Sequence, residues 1–427
     1  MNCGIKDGRS LYYLKGACSG CGVCVNVCPE GAIVLKEDDL GFYYPHIDKN
    51  LCICCGKCIQ FCAFGKEKND VPIRCYAGMN LNAEQRMLSA SAGIFSAVAT
   101  AFLKNDGVVC GAAMNFCSGK ARIQHILIDT IDDLPQLQGS KYVQSDVLNC
   151  YYDMQAALKS GKKVLFSGTP CQIAGVKSLF KKYENQLYTM DIICHGVPSQ
   201  RFFNDYLVET AKKTNAMIVG FQFRSKKYGW GLHGSIKYHQ NNMLLEARLN
   251  PQESSYYQFF LEAEIYRDCC YHCPYACKNR VGDLTVGDYW GVEKYNSDLL
   301  RDNDGPFDIK EGVSCILENS LAGTELLYLT REYLMLKQVD INKILILNNQ
   351  LREPSQHSNR RKKIFDAYQK KGYFGVNELW EKWKKRYNAT AGIRKLLPEK
   401  IKKRLKIVCK NERIKSLYYL FIHFNKS

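Results

Sequence analysis

The chain has 427 residues, 46% hydrophobic and 24% charged, a length that suits two or three domains and a composition that supports a real core. Its formal net charge of +17 is uneven: residues 350–427 hold 22 Lys+Arg against 6 Asp+Glu, and residues 1–349 hold 37 against 36, which argues against a nucleic-acid enzyme with a basic cleft and for a tail with its own partner. Its 22 cysteines point to a reducing compartment rather than a disulfide scaffold, and no run approaches the roughly 20 apolar residues of a spanning helix.

Residues 1–15 lack a basic region followed by an apolar stretch, so no secretory leader is expected. A cytoplasmic location follows. From Cys18 the chain reads Cys18-x-x-Cys21-x-x-Cys24-x-x-x-Cys28-Pro29, then Cys52-x-x-Cys55-x-x-Cys58-x-x-x-Cys62. That is the bacterial ferredoxin run written twice. The two-residue gaps let a tight curl aim three thiolates at one cubane, and the fourth cysteine of each run ligates the other cluster. The spacing assigns one [4Fe-4S] cluster to Cys18, Cys21, Cys24 and Cys62 and a second to Cys52, Cys55, Cys58 and Cys28. Ala63 stands where proline often follows, and Cys54 is an extra thiol beside the run. Ile33 to Leu35 and Phe42 to Ile47 read as short strands. Residues 1–70 thus form a ferredoxin-like module, and Lys66 to Pro72 reads as its linker.

From about residue 75 strands and helices alternate. Glu84 to Leu103 has apolar residues at helical spacing. Val108 to Met114 and Ile123 to Ile128 read as strands, Val147 to Leu158 as a helix and Lys163 to Phe166 as a short buried strand. Ile173 to Lys182 is a helix, Leu187 to Ile193 a strand and Gln200 to Lys212 a helix. Shorter strands and loops follow Phe221, with a further strand at Leu284 to Val286. This pattern predicts an α/β domain over 75–345 whose mixed sheet is partly parallel, within an α+β/α/β chain. Residues 350–427 read as a helical basic tail.

Four cysteines outside the module have unusual settings. Cys171 lies in Gly168-Thr169-Pro170-Cys171-Gln172, after a strand and at a helix start, where a thiol's pKa is lowered. Cys194 opens Cys194-His195-Gly196-Val197-Pro198-Ser199, again between strand and helix. Both loops suit the carboxyl ends of parallel strands, where ligands bind. With Cys270 and Cys273 they make a four-thiolate site; a zinc knuckle of Cys269, Cys270, Cys273 and Cys277 is the competing reading.

Several motifs occur in order: Ser89-Ala90-Ser91-Ala92-Gly93-Ile94-Phe95, Ser140-Lys141-Tyr142-Val143-Gln144-Ser145, the two cysteine loops, Phe223-Arg224 through Gly229-Trp230, and Asp283 to Gly291. Over roughly residues 75–340 the chain resembles the family of beta subunits of coenzyme F-420 hydrogenases and dehydrogenases. Ala92 replaces one of two glycines usual in the first motif. The resemblance implies FAD, and a third [4Fe-4S] cluster held by Cys171, Cys194, Cys270 and Cys273. It implies flavin contacts from Ser89, Ser91, Gly93, Lys141, Tyr142, Ser145, Gly168, Thr169 and Arg224. Free N–H groups near Ser89 to Gly93 suit a phosphate, although ordinary helix capping would use the same residues. His195, beside Cys194, suits a proton relay at a redox centre; a histidine merely hydrogen-bonded in place is the plainer reading.

The function expected is an iron–sulfur flavoprotein oxidoreductase. It would pass electrons between a deazaflavin or another organic substrate, FAD, the clusters, and a ferredoxin or partner redox enzyme. The alternative is a non-catalytic subunit that wires a partner enzyme, in a setting such as surface-polysaccharide biosynthesis. In the tail, Leu397, Ile401, Leu405 and Val408 form an apolar stripe among lysines and arginines. That reads either as a segment on the inner membrane surface or as a helix packed on the body with a solvated basic face.

Overall fold

The computed structural model describes residues 16–64, 66 and 71–396, with side chains to residue 385. The linker expected at Lys66 to Pro72 falls largely outside them. The stripe from Leu397 to Val408 lies wholly outside.

Each cysteine run closes into a single helical turn, Val23–Asn26 and Lys57–Gln60. Gly22 and Gly56 start those turns at φ 72° and 73°, a left-handed conformation that only glycine adopts without steric cost. Between the turns, β1 (Ile33–Glu37) and β2 (Tyr43–Ile47) pair antiparallel.

The body carries β3 (Arg74–Asn80), β4 (Val108–Cys117), β5 (Lys120–Ile128), β6 (Val164–Gly168) and β7 (Leu187–Ile192). Next come β8 (Met217–Gln222), β9 (Gly234–Gln240) and β10 (Met243–Leu249), which form their own antiparallel sheet. Last are β11 (Leu284–Asp288), β12 (Ser314–Glu318) and β13 (Leu334–Gln338). The large sheet has the order β13-β3-β12-β11-β7-β6-β4-β5. Its heart, β4-β6-β7-β11, is parallel. The flanking strands on both sides run antiparallel, so the fold is a mixed α/β sheet beside a ferredoxin-like module.

Period-two alternation sends successive side chains to opposite faces. Val109, Leu165, Met190 and Leu284 meet the helices Ile94–Leu103 and Leu321–Leu329 on one face. Val108, Cys110, Val164 and Phe166 meet Leu148–Lys159 and Pro170–Leu179 on the other. Val23 and Ala63 of the N-terminal module are buried in that second core, so the module is packed against the body.

Two expectations change. The helix expected over 84–103 is two helices, Ala83–Leu88 and Ile94–Leu103. The Ser89 hydroxyl turns back onto the Gln85 carbonyl at 2.8 Å, and Gly93 begins the second helix at φ 78°. Strands β3, β12 and β13 were not anticipated, because β12 is buried on both faces and shows no alternation, while Leu-Met-Leu-Lys-Gln of β13 has no turn signal around it. The basic helical tail expected over 350–427 is helical over Arg360–Leu396, and there Ile364, Phe365, Tyr368, Tyr373, Val376 and Trp380 are buried against the helix Gln200–Thr214 and the small sheet. Its backbone departs from helical geometry at Lys371 and Gly372, keeping the aromatic residues on either side directed inward.

Candidate redox site

Strand register explains how two distant cysteines meet. Gly168 of β6 pairs with Asp191 of the parallel strand β7, and Cys171 and Cys194 each lie three residues further on. Both therefore emerge at the carboxyl edge of neighbouring strands. Thr169 caps the helix Pro170–Leu179 through a reciprocal capping box with Gln172, and its hydroxyl lies 3.2 Å from the Cys171 sulfur. The Ser145 hydroxyl accepts from Gln172 Nε2 at 2.9 Å, which holds the same cap.

Cys270 and Cys273 come from a loop after the helix Ser255–Leu261. As thiolates, Cys171, Cys194, Cys270 and Cys273 repel one another. Burial pushes Cys171 up to about 12, against the lowering expected from its place at a helix start, and Cys273 up to about 11; Cys194 rises for the same reason. Of the remaining members of the competing knuckle, Cys269 is hydrogen-bonded to Cys270 and has Cys171 as a neighbour, and the Cys277 sulfur lies 3.1 Å from the Asn279 carbonyl.

In the N-terminal module, Cys21 and Cys24 have Cys18 and Cys62 as electrostatic neighbours. Cys58 has Cys52, Cys55 and Cys28. The last cysteine of each run thus stands with the other run's set. Among the described residues no group of three or more His, Cys, Asp or Glu is gathered closely enough to hold a single metal ion.

The sets form a chain through the molecule. Cys24 of the first module set has Cys58 of the second as a neighbour, and Cys21 has Cys171 of the body. Gly175, one turn beyond Cys171 on the same helix face, makes room for that approach: a Cβ there would lie 3.4 Å from the Cys21 sulfur and 3.0 Å from Val23 Cγ2.

Several residues that sequence reasoning missed hold this arrangement. The buried Arg280 pairs with Asp191 at 3.0 Å and donates to the Ile192 and Tyr275 carbonyls at 3.0 and 2.6 Å, tying the Cys194 and Cys273 loops together. Tyr275 donates to Ala63 O at 2.9 Å, Tyr151 to Cys21 O at 2.8 Å and Ser178 to Phe61 O at 2.9 Å. Gln144, inside a motif already singled out, donates to Ser19 O at 3.0 Å. Only Gln144 had a sequence signal; each of the others is a single residue with a partner more than 80 positions away.

The residues assigned to a flavin divide in two groups. Arg224 is buried and paired with Asp288, and its Nε donates to Gly231 O at 2.7 Å. Its second amino nitrogen, Nη2, is buried without a hydrogen-bond partner among the described residues. Trp230 donates to Asp288 at 2.8 Å and stacks on Trp290 at 5.2 Å. The ring of Tyr142 stacks on Phe260 at 4.3 Å and lies in the field of Arg224. His195 keeps exposed surface, while desolvation lowers its pKa to about 4; its backbone carbonyl accepts from Ser355 at 2.7 Å.

The others are already engaged. Lys141 donates its ammonium to the Gln136, Leu137 and Gln138 carbonyls at 3.4, 2.9 and 2.7 Å, which uses its three protons, and burial lowers its pKa to about 7. Ser89 and Ser91 bond to Gln85 O and Val313 O, and Lys226 bonds to the carbonyls of Arg86 and Ser91. Gly168 leaves no space for a side chain beside Gln172 Oε1, 2.9 Å from its would-be Cβ.

Residues 161–342 match the family model for the C terminus of the coenzyme F420 hydrogenase/dehydrogenase beta subunit, and residues 17–66 match a 4Fe-4S dicluster domain. The chain is 21% identical over 324 residues to the F subunit of the F(420)H(2) dehydrogenase of Methanosarcina mazei, covering 72% of this chain and 86% of that protein. Over 85 residues it is 38% identical to the B subunit of the Na(+)-translocating ferredoxin:NAD(+) oxidoreductase complex of Acetobacterium woodii, 17% of this chain and 24% of that protein. Among solved structures, a chain of the F420-reducing [NiFe] hydrogenase complex from Methanosarcina barkeri aligns with 72% of this chain and 95% of its own length, at TM-score 0.42 and 13% identity. The N-terminal module is of the dicluster type and the body is related to the F420 beta subunits; the chain is an iron–sulfur protein of an oxidoreductase, electron-transferring kind. No described helix is long and apolar enough to cross a membrane.

Proposed function

We propose that this chain is an FAD-dependent iron–sulfur oxidoreductase linking a hydride-carrying organic partner to a one-electron protein partner, with a third [4Fe-4S] cluster on Cys171, Cys194, Cys270 and Cys273. The observation that carries the reading is the neighbourhood of Cys21 and Cys171, which joins the module's thiols to the body's across a buried interface. Bound clusters carry electrons singly, and a bound flavin exchanges both hydride and single electrons.

The chain's own residues bind and orient. Arg224, with its unused buried Nη2, and Tyr142 would hold the polar edge of the flavin. The Trp230–Trp290 stack shields the Arg224–Asp288 pair from water. Ser91, Gly93, Gly168 and Thr169 would line the cofactor's approach, with Ser89 at its edge. Lys141 and Ser145 would act by fixing the turn that presents Tyr142 and the cap that presents Cys171. His195 would hold or release a proton near the reacting ring.

Anaerobic quantification of iron and flavin tests this reading. About twelve irons and one FAD per chain are expected. Changing Cys171, Cys194, Cys270 and Cys273 together to Ser should remove about four irons; unchanged iron would sink the third site. Protein that neither retains nor takes up FAD would sink the flavin.

One observation favours the wiring-subunit reading as a second role. Cys55 is exposed, and Leu51 and Ile53 beside it are 51% and 61% exposed, an accessible end for a redox partner such as those of the complexes named above. Rapid mixing with a reduced deazaflavin separates the two: flavin reduction ahead of the iron–sulfur absorbance is expected of the enzyme, and no reduction without a partner protein is expected of the subunit. The basic tail would meet an anionic membrane surface. Removing residues 388–427 should then weaken binding to anionic vesicles at low salt, and equal binding would defeat the idea.

A further inference from the structure

Arg267 is wholly buried, at 0% exposure. Other buried arginines here answer a carboxylate: Arg280 pairs with Asp191, Arg224 with Asp288 and Arg361 with Asp268. Arg267 has no such partner among the described residues. Asp268, next in the chain, gives its carboxylate to Arg361 instead. The guanidinium of Arg267 donates to Cys18 O at 2.6 Å, Tyr43 O at 2.7 Å and Gln144 Oε1 at 3.2 Å, all neutral acceptors, and its Nη2 lies 3.8 Å from the Cys18 sulfur. The Tyr44 ring lies beneath it at 4.1 Å.

A buried cation without an anion is among the costliest arrangements in a protein, and hydrogen bonds to carbonyls spread its charge without cancelling it. The groups its charge acts on are the Cys18 thiol and the Tyr44 phenol of the module, and the Cys269 and Cys270 thiols of the body. Gly20 confirms how tightly it is held, since a Cβ there would come within 3.0 Å of Arg267 Nη1 and 2.9 Å of Gln144 Nε2.

We propose that Arg267 is the built-in counter-ion of two iron–sulfur sites, the Cys18/Cys21/Cys24/Cys62 site and the Cys171/Cys194/Cys270/Cys273 site, and that it raises the reduction potential of both. For the second of these the proposal rests on the cluster reading given above. A cubane on four thiolates takes up one electron and goes from a net charge of −2 to −3, with no bond made or broken and no proton required. A fixed positive charge favours the more negative state. The Arg267 guanidinium contacts no residue of the outer set of Cys28, Cys52, Cys55 and Cys58, so its charge favours the electron at the two inner sites. Arg267 is a positioning and tuning residue: it touches a ligand's sulfur rather than a substrate.

The test is a dithionite titration of the full chain followed by electron paramagnetic resonance, with signals assigned through single Cys→Ser variants. Arg267→Gln should lower the potentials of the two inner sites at least tenfold in reduction equilibrium, equal to 59 mV for one electron, and leave the outer site unmoved as an internal control. Arg267→Lys, which keeps the charge but not the planar fork, should fall less than half as far. Should Arg267→Gln lose iron, Gln144→Glu decides: it is nearly isosteric and puts a carboxylate against the same guanidinium, so the inner potentials should drop with iron intact. An unmoved inner potential in the decisive variant, an equal shift at all three sites, or a lysine variant as low as the glutamine one would each overturn the proposal. Absence of a third signal in the wild-type protein would instead remove the third-cluster reading, while the Cys18 site still tests the counter-ion.

Discussion

The two halves of the N-terminal module share one spacing and one backbone, yet they meet different surroundings. Gly22 and Gly56 occupy equivalent positions at the start of their turns, at φ 72° and 73°. A Cβ on Gly22 would lie 2.3 Å from Leu148 Cδ2, whereas one on Gly56 would meet nothing within 4 Å. The first half hands Val23 to the body's core and is bonded there by Tyr151, Gln144 and Arg267. The second half also reaches that core, where Ala63 is buried and Tyr275 and Ser178 bond the Ala63 and Phe61 carbonyls, yet it leaves Leu51, Ile53 and Cys55 open to solvent. A repeated motif therefore specifies how the thiols converge and says nothing about which of its residues face inward. Those are chosen by residues elsewhere, and that choice gives the module a protected side toward the body and an open side toward solvent.

Substitutions that erase or exaggerate this asymmetry should differ in size. Gly22→Ala combines left-handed strain with overpacking against Leu148 and should cost about 2–5 kcal/mol, read as a lower midpoint of anaerobic denaturant unfolding. Tyr275→Phe leaves the Ala63 carbonyl unanswered inside the interface and should cost about 1–3 kcal/mol on the same assay. Gly56→Ala carries strain alone, about 1–2 kcal/mol, so a Gly56 variant as unstable as the Gly22 one would erase the distinction. Ile53→Ser on the open side should change stability by less than about 0.5 kcal/mol while slowing electron exchange with a protein acceptor. An unchanged rate would show that the open side is not where a partner meets the chain.

The doubled cysteine run and the alternation of β4, β6 and β7 with their helices were legible in the sequence because each is a local pattern. Cys171 and Cys194 were legible as strand-end cysteines, since both follow an apolar run and precede a helix start. Their meeting depends on the pairing of Gly168 with Asp191, a register that no local pattern records. Strands β3, β12 and β13 escaped because they gain their place by pairing with one another, not by alternation. Lys141 stood out because its motif is distinctive, and what its motif could not record is that its ammonium donates to carbonyls at a helix end. Arg267 and Arg280 carry no motif at all. Each is one arginine among many until the fold removes the water around it, and only then does its choice of partner acquire meaning.

With a third cluster on the body's thiols, as proposed above, Gly175 would set a tempo. Electron tunnelling slows exponentially as the gap between donor and acceptor widens, and at this residue the gap is bounded by a missing methyl group, whose carbon would stand 3.4 Å from the Cys21 sulfur. An alanine there could leave the helix, the iron and the unfolding midpoint nearly as they were, because the neighbouring side chains can yield by a few tenths of an ångström. What it would lengthen is the wait between one electron's departure from the body and its arrival in the module. Throughput across the domain boundary would then be governed by one hydrogen atom in place of a side chain, and a change invisible to a stability screen would show itself only to a clock.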